Sequence, residues 1–208
     1  MSGERSGAGD GADKWPLDLE GVTETVVTTR GPNGRWNAAA LGVHAPTSEE
    51  GAAPTARTFG NTRTRRNFAR EAGGYVHFTD DPLLFVEAAL SVREQDDPVL
   101  PETGAWVRVD VERVDAETSD GTRVETWSLD AAESAVVEEQ VPRFDRGRAA
   151  VVEATVAASR LDVPAFDTET LHERLDFFGE TARTCGGARV HEALDRLQEL
   201  VSWRDRGE

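Results

Sequence analysis

Alternating apolar and polar positions predict an antiparallel sheet in the first two thirds of the chain. Residues 23–30 are rich in β-branched side chains, a Gly-Pro-Asn-Gly turn follows, and residues 36–43 resume an apolar stretch, which together predict a hairpin. Residues 106–114 alternate valine with charged side chains, and residues 122–129 are their predicted partner across a polar turn. Residues 135–141 are predicted to return once more. The pattern indicates an antiparallel barrel or a strongly bent sheet.

Two helices are predicted between these strands. A short strand over residues 55–59 leads to a Gly-Asn bend and then to a helix, which Thr62 or Thr64 can cap and a Gly-Gly pair ends. Residues 75–79 form the next predicted strand. The Asp-Asp-Pro sequence at residues 80–82 then opens a second, mostly buried helix, because an acid at the N-cap and a proline in the first turn are typical of helix starts.

The C-terminal third changes to helical spacing. Apolar residues recur at helical intervals over residues 148–161, Asp167 caps a helix over residues 171–184, and a Gly-Gly pair precedes a last helix over residues 188–203. The start of the chain is rich in Gly, Ser and acids and lacks an apolar core. We therefore divide the chain into a disordered tail at residues 1–14, a barrel domain at residues 15–142 and a C-terminal helical subdomain at residues 143–208.

Composition restricts the compartment and the partners. Lys plus Arg number 23 against 39 Asp plus Glu, the formal net charge is −16, and Lys14 is the only lysine. Such a charge disfavours nucleic acid as a partner, because phosphate backbones bind net basic surfaces. A single cysteine, Cys185, allows no disulfide within the chain, and no apolar run approaches the ~20 residues of a membrane span. We expect a cytoplasmic protein that binds neither nucleic acid nor membranes.

The strongest candidate chemistry lies in one arginine-rich segment. Five arginines fall between residues 57 and 70, interleaved with Thr and Asn, and no carboxylate interrupts them. Guanidinium, hydroxyl and amide donors beside a bend at a helix start are the groups that bind a phosphate. The sequence therefore predicts a site for an anionic small molecule, and the alternative is an exposed arginine-rich face directed toward the acidic remainder. The arginines are Arg57, Arg63, Arg65, Arg66 and Arg70.

A second candidate is the strand over residues 37–43, which reads NAAALGV. Small side chains in a strand would let a flat ligand lie close to the backbone, while Asn37 offers a donor and an acceptor to the edge of a heterocycle. Close packing of the strand against a helix explains the same composition without any ligand, and by composition alone this plainer explanation is favoured.

Other reactive side chains give weaker signals. Cys185 has no nearby base except His191, so a catalytic cysteine is disfavoured. The four histidines show no paired metal-ligand spacing, and we expect no metal site. Asp80 and Asp81 could hold a cation, but helix capping explains them more simply. No residue can be assigned as catalytic from the sequence.

Five segments occur in a fixed order along the chain. They are NAAALGV at residues 37–43, TRT at residues 62–64 with Asn67, FTDDPLLF at residues 78–85, AVVEATV at residues 150–156 and CGG at residues 185–187. This order resembles the DUF447 proteins, an archaeal family of unknown function within the FMN-binding split-barrel superfamily, which also holds flavin reductases. The resemblance spans nearly all of residues 22–203.

The resemblance implies an α+β fold, mainly β: a six-stranded antiparallel split β-barrel with short helices and a C-terminal helical appendage. It also implies a homodimer that binds FMN in clefts at the subunit interface. The family often has Ser and Lys at Thr62 and Arg63, and both replacements keep a hydroxyl and a cation. Carried over by position, the cofactor-binding residues are Asn37, Ala38 and Ala39 near the rings, and Thr62, Arg63, Thr64 and Asn67 at or near the phosphate.

Two functions are compatible with this resemblance. One is a flavin reductase-like oxidoreductase that transfers a hydride between a reduced nicotinamide or deazaflavin and FMN. The other is a non-catalytic module that holds a flavin, or another flat anionic cofactor, as a sensor or carrier. In either case the redox chemistry would belong to FMN, and the protein would supply orientation, electrostatics and access.

The acidic, lysine-poor composition predicts a halophilic origin, that is, a protein adapted to a very salty cytoplasm whose stability rises with salt. At ~1 M ionic strength the Debye length is only ~3 Å, so carboxylates repel one another weakly and hold water at the surface. We expect the melting temperature to increase between low salt and about 1 M KCl. The alternative, an ordinary acidic protein from a GC-rich genome that favours Arg over Lys, is supported if the melting temperature does not increase.

Overall fold

The computed structural model describes residues 15–46, 52–119 and 121–201. Within these residues it has seven strands and five helices, and the predicted tail at residues 1–14 lies outside them. The elements in chain order are β1 (Val22–Arg30), β2 (Trp36–His44), β3 (Thr55–Phe59), α1 (Arg63–Glu71), β4 (Gly73–Phe78), α2 (Pro82–Leu90), β5 (Arg93–Gln95), β6 (Ala105–Ser119), β7 (Thr122–Val136), α3 (Arg146–Ala158), α4 (Thr168–Cys185) and α5 (Ala188–Val201).

Six strands close into an antiparallel barrel, as predicted. Their order is β1-β4-β6-β7-β3-β2, and β2 pairs with β1 to complete the circle. The predicted hairpin is confirmed as β1 and β2, which pair from Val22 with His44 to Arg30 with Trp36. The short strand β5 extends the sheet outward from β2. With the three C-terminal helices included, about as many of the described residues lie in helices as in strands.

Alternate residues of the strands fill the barrel interior. Val27, Leu41, Val107 and Trp127 are buried in one apolar cluster, as the period of two along a strand requires. Helix α1 contributes Phe68 to the same cluster, so this helix is packed against the barrel core. Two neighbouring strands are also joined inside the barrel, because the Trp127 Nε1–H donates to Thr58 Oγ1 at 3.0 Å.

Helix α1 begins as predicted and ends differently. Thr62 is its N-cap, but its C-cap is Ala72, whose φ of 49° is left-handed. The Gly-Gly pair that was predicted to end the helix lies in β4 instead. A Cβ on Gly74 would lie 2.9 Å from the Thr28 carbonyl oxygen, so this glycine permits close strand pairing rather than helix termination.

Two further sequence predictions are corrected in the sheet. The predicted strands at residues 122–129 and 135–141 are one continuous strand, β7, which ends at Val136. Strand β6 is longer than predicted and reaches Ser119. Its pairing with β4 ends at Asp110. Residues 112–119 therefore extend beyond the barrel, where they are exposed and, among the described residues, are paired with β7 alone. The three-residue strand β5 was not predicted, because its polar residues carry no alternating pattern.

Helix α2 is the layer shared by the barrel and the C-terminal helices. Its Leu84 and Phe85 pack in a cluster with the outer face of β1 and β2, while Val86 belongs to the cluster formed by α3, α4 and α5. The predicted N-cap is confirmed: Asp81 Oδ1 accepts from the Leu83 N–H at 2.9 Å. The same carboxylate pairs with Arg189 of α5, whose Nε lies 3.0 Å from Oδ1.

The C-terminal helices were predicted correctly in number and position, and Asp167 is the N-cap of α4. The predicted last residues of the final helix, beyond residue 201, lie outside the described residues. None of the helices within the described part of the chain combines the length and hydropathy that crossing a membrane requires.

His77 of β4 joins three separate segments of the chain. Its side chain is fully buried, the Leu100 N–H donates to Nε2 at 3.2 Å, and Nδ1 lies 3.1 Å from the Val26 carbonyl oxygen. Because Nε2 accepts, the proton resides on Nδ1, which donates to Val26. Burial disfavours the charged imidazolium and lowers the pKa of His77 to about 4.

This arrangement predicts a loss of stability at mildly acidic pH. The unfolded chain binds a proton at His77 below pH 6.5, whereas the folded protein does so only near pH 4. The contribution of neutral His77 is therefore complete above pH 6.5 and decreases as the pH falls toward 4, by about 3 kcal/mol in total. Urea unfolding at several pH values should show this decrease, and His77→Gln should flatten it. An unchanged pH slope in His77→Gln would contradict the assignment.

Candidate functional site

A cleft of about 760 Å³ lies between the barrel and the C-terminal helices. Strand β2 lines it with residues 37–42, and the start of α1 lines it with residues 62–64. Helix α3 and the loop after it contribute residues between 155 and 166. The cleft therefore combines the two segments that the sequence singled out with a wall that comes from the C-terminal helices.

Strand β2 presents small side chains to the cleft. Ala38 and Ala40 also pack against the cluster formed by α2, so close helix packing and access to the cleft both account for the small residues. Asn37 is only 5 % exposed and lines the cleft. Among the described residues its side chain makes one long hydrogen bond, from Nδ2 to the Ala38 carbonyl oxygen at 3.4 Å. Most of its hydrogen-bonding capacity is therefore unused.

The start of α1 offers donors to the cleft. Thr62 Oγ1 accepts from the Arg65 N–H at 3.2 Å, which leaves the Thr62 hydroxyl hydrogen available as a donor. The first N–H groups of any helix lack intrahelical acceptors, and the first turn of α1 contains no acid. Arg63 forms an ion pair with Glu94 of β5, Nη1 to Oε1 at 2.8 Å. Since Glu94 pairs with Asn37 across the sheet, this guanidinium is held next to β2.

Asn67 does not line the cleft. It is buried, and its Nδ2 donates to Thr29 Oγ1 at 2.9 Å while its Oδ1 accepts from Arg70 at 2.9 Å. The bond to Thr29 attaches α1 to β1, which is a positioning contact, while the bond from Arg70 lies within the helix. Of the seven residues predicted for cofactor binding, six line the cleft and Asn67 lies behind them. The six are Asn37, Ala38, Ala39, Thr62, Arg63 and Thr64.

A buried carboxylate also holds α1 to the barrel, and sequence reasoning missed it. Glu125 of β7 is 1 % exposed and contacts three arginines. The distances are 3.5 Å from Arg65 Nε, 3.3 Å from Arg113 Nη1 and 2.6 Å from Arg123 Nε to its carboxylate oxygens. The sequence does contain one sign of this burial. Glu125 lies two residues before the buried Trp127 in β7, and side chains two residues apart on a strand point to the same face of the sheet.

The electrostatics of the cleft are opposite to those of the whole chain. Within the described residues, three arginines and one glutamate line it, whereas the chain carries a formal net charge of −16. Burial of the Glu24 carboxyl raises its pKa, with Arg160 opposing this shift and Glu153 adding to it. The cleft is a locally cationic region in an acidic protein. Its ionisable residues are Glu24, Arg57, Arg63 and Arg160.

The weaker candidates have structural roles in this fold. Asp81 caps α2, as described above, and Asp80 pairs with Arg143 and Arg148. Cys185 is exposed, and the His191 Nε2 lies 3.1 Å from the Arg183 carbonyl oxygen. Within the described part of the chain no three His, Cys, Asp or Glu side chains are grouped so that they could hold a metal ion.

The chain matches two family models. The model described as the N-terminal domain of a protein of unknown function, DUF447, matches residues 23–138, and a second DUF447 model matches residues 145–199. Comparison with curated proteins finds no match. Among solved structures, the FMN-bound protein MM1853 from Methanosarcina mazei, also of DUF447, is 26 % identical with a TM-score of 0.73, over 88 % of this chain and 96 % of that one.

Two further solved structures are more distant. Flavoredoxin from Methanosarcina acetivorans is 12 % identical with a TM-score of 0.43, over 58 % of this chain and 72 % of that one. Nitrilotriacetate monooxygenase component B from Bacillus cereus is 14 % identical with a TM-score of 0.45, over 60 % of this chain and 74 % of that one.

The buried Glu125 predicts a selective loss of stability. Replacing it by glutamine removes the negative charge that, among the described residues, is the counterion of the partly buried Arg65 guanidinium. We expect Glu125→Gln to lower the free energy of unfolding by about 2 kcal/mol in urea denaturation, because hydrogen bonds to charged groups contribute about that much. The matched control is Glu133→Gln on the same strand, whose partner Arg108 is on the surface. Equal losses in the two variants would contradict the assignment.

Proposed function

The chain belongs to the DUF447 family, and from this membership we propose that it is an FMN-binding flavoprotein of the flavin reductase-like type. The observation that carries the proposal is the cationic cleft, in which a helix N-terminus with Thr62, Arg63 and Thr64 meets a small-residue strand. Both are features that a flat ligand with a phosphate tail requires. The likeness to the FMN-bound protein MM1853 supports the same cofactor.

The phosphate of FMN would bind at the start of α1. The Thr62 hydroxyl and the first N–H groups of the helix would donate neutral hydrogen bonds, and Arg63 would add a charged one. These donors fit a phosphate because no acid lies in the first turn of α1. Glu94, the carboxylate that pairs with Arg63, already fixes the direction of that guanidinium.

The ring system would lie along β2. Ala38 and Ala39 leave room for a flat ring against the backbone, and Asn37 retains donors and an acceptor for a polar atom of the ring system. When bound, FMN supplies the redox chemistry, with reduced nicotinamide or deazaflavin as the electron donor. The chain's own contribution is to orient the cofactor, to neutralise its phosphate and to limit the access of water.

We propose that the protein is a homodimer that holds the cofactor at the subunit interface. Two apolar side chains at the cleft, Phe59 and Val92, are 59 % and 62 % exposed. Exposed apolar groups that border a binding cleft favour cover by another protein surface. A second copy of the chain would bury them and close the cleft over the ring system.

Titration of the purified protein with FMN tests the proposal. Binding should change the flavin fluorescence and the absorbance spectrum of FMN, and the absence of any change would refute it. Anaerobic mixing of the FMN-loaded protein with NADH, NADPH or reduced deazaflavin then separates the two functions. Rapid bleaching of the flavin indicates an oxidoreductase, and its absence with all three donors indicates a carrier or sensor module.

The proposed phosphate contact predicts a difference between FMN and riboflavin. Arg63→Ala should weaken FMN binding by about 1.5 kcal/mol or more, roughly tenfold, because it removes a hydrogen bond between charged groups. Riboflavin lacks the phosphate, so its affinity should change little. Arg66→Ala is the matched control, since Arg66 lies on the same helix and bonds to the Asn61 carbonyl oxygen outside the cleft. Equal losses for FMN and riboflavin would show that Arg63 does not contact the phosphate.

A further inference from the structure

The end of the cleft nearest Gly42 contains two opposite charges from different parts of the chain. Glu24 of β1 pairs in register with Gly42 of β2, and Arg160 lies just after α3. Gly42 follows Asn37 by five residues along β2, about 17 Å at the usual rise of a strand. This end is therefore separate from the start of α1, where Arg63 is held beside Asn37.

Both charged groups have unused hydrogen-bonding capacity. Among the residues that the structure describes, neither the Glu24 carboxylate nor the Arg160 guanidinium makes a hydrogen bond or an ion pair. Arg160 instead lies over the ring of Phe166, 5.0 Å from its centroid. Because Gly42 has no side chain, the Glu24 carboxylate lies against β2, 3.8 and 3.9 Å from where a Cβ would be.

The pair restricts the kind of group that can bind between its members. A phosphate or carboxylate would be repelled by Glu24, and an ammonium group would be repelled by Arg160. A neutral group with an N–H donor beside a carbonyl acceptor satisfies both, since the carboxylate accepts and the guanidinium donates. Imides and primary carboxamides have this pattern. The ring of Phe166, which is 42 % exposed at the same cleft, adds an apolar surface for a heterocycle.

We propose that Glu24 and Arg160 recognise the imide or carboxamide edge of a heterocycle bound in the cleft. Glu24 accepts the N–H of that edge, and Arg160 donates to the adjacent carbonyl oxygen. The inference rests on the proposed function, because a flavin carries such an edge on its pyrimidine ring and a nicotinamide carries it as a carboxamide. It gives the C-terminal helices a direct part in ligand recognition.

A purely structural role for Arg160 predicts different results. In that role, Arg160 would stack on Phe166 and serve only to stabilise the loop after α3. Its removal would then lower the melting temperature and leave the affinity and midpoint potential of a bound cofactor unchanged. Ligand affinity and redox potential are therefore the measurements that separate the two roles.

The experiment compares Glu24→Ala and Arg160→Ala with the wild type. If the edge belongs to the flavin, both variants should bind FMN about tenfold more weakly. The midpoint potential of bound FMN should become more negative in Arg160→Ala, which loses a cation beside the reduced ring, and more positive in Glu24→Ala. Glu24→Gln keeps an acceptor and should restore part of the affinity but not the potential. The controls are Glu20→Gln and Arg146→Gln, two exposed residues outside the cleft.

A second set of measurements tests whether the recognised carboxamide belongs to a nicotinamide instead. In that case FMN affinity and potential stay at wild-type values, while the FMN-loaded variants bind NADH or NADPH about tenfold more weakly. Wild-type affinities for FMN, NADH and NADPH in both alanine variants would overturn the inference and leave the proposed function intact. If the wild type itself binds no FMN, the proposed function and this inference both fail. Melting curves and the Glu24→Gln variant separate a loss of ligand binding from a loss of folding.

Discussion

The attachment of α1 to the end of the barrel is the interaction on which the candidate site depends. Phe68 anchors the helix in the barrel core, Asn67 joins it to β1, and Arg65 reaches the buried Glu125. These contacts act on three residues within about one turn of the helix, so they fix both the position and the rotation of α1. The donors at its N-terminus are thereby held at the cleft, which residues 62–64 line. Preorganisation of this kind lowers the cost of binding an anion, because the donors need not reorganise.

The C-terminal helices are packed into the same structure. Helix α2 has one face on the outer surface of β1 and β2 and contributes Val86 to the core of the C-terminal helices. The small residues of β2 permit this close approach, and the same residues form one wall of the cleft. A single compositional feature of β2 therefore serves packing and access together. The two interpretations of its sequence are complementary rather than exclusive.

Local signals in the sequence were sufficient for the hairpin, the helix starts and the two segments that meet at the cleft. Caps, proline in a first turn and alternating valines act over a few residues and can be read directly. The errors came from contacts between distant residues. Residue 74 must be a glycine because the Thr28 carbonyl oxygen lies close to it. Strand β7 continues without a break because β6 pairs with it along its whole length. Neither contact is visible in the local sequence. Glu125 and Arg160 were missed for the same reason, since their partners lie on other elements.

Within the part of the chain that the structure describes, the end of β6 that projects beyond the barrel has no paired strand on one side. Open sheet edges are templates on which another chain can add a strand, and this leads to aggregation. Here Glu112, Asp115 and Glu117 lie along the exposed stretch, and an identical strand brought alongside would meet them with like charges. These acidic side chains thus protect the protein against uncontrolled sheet growth along this edge.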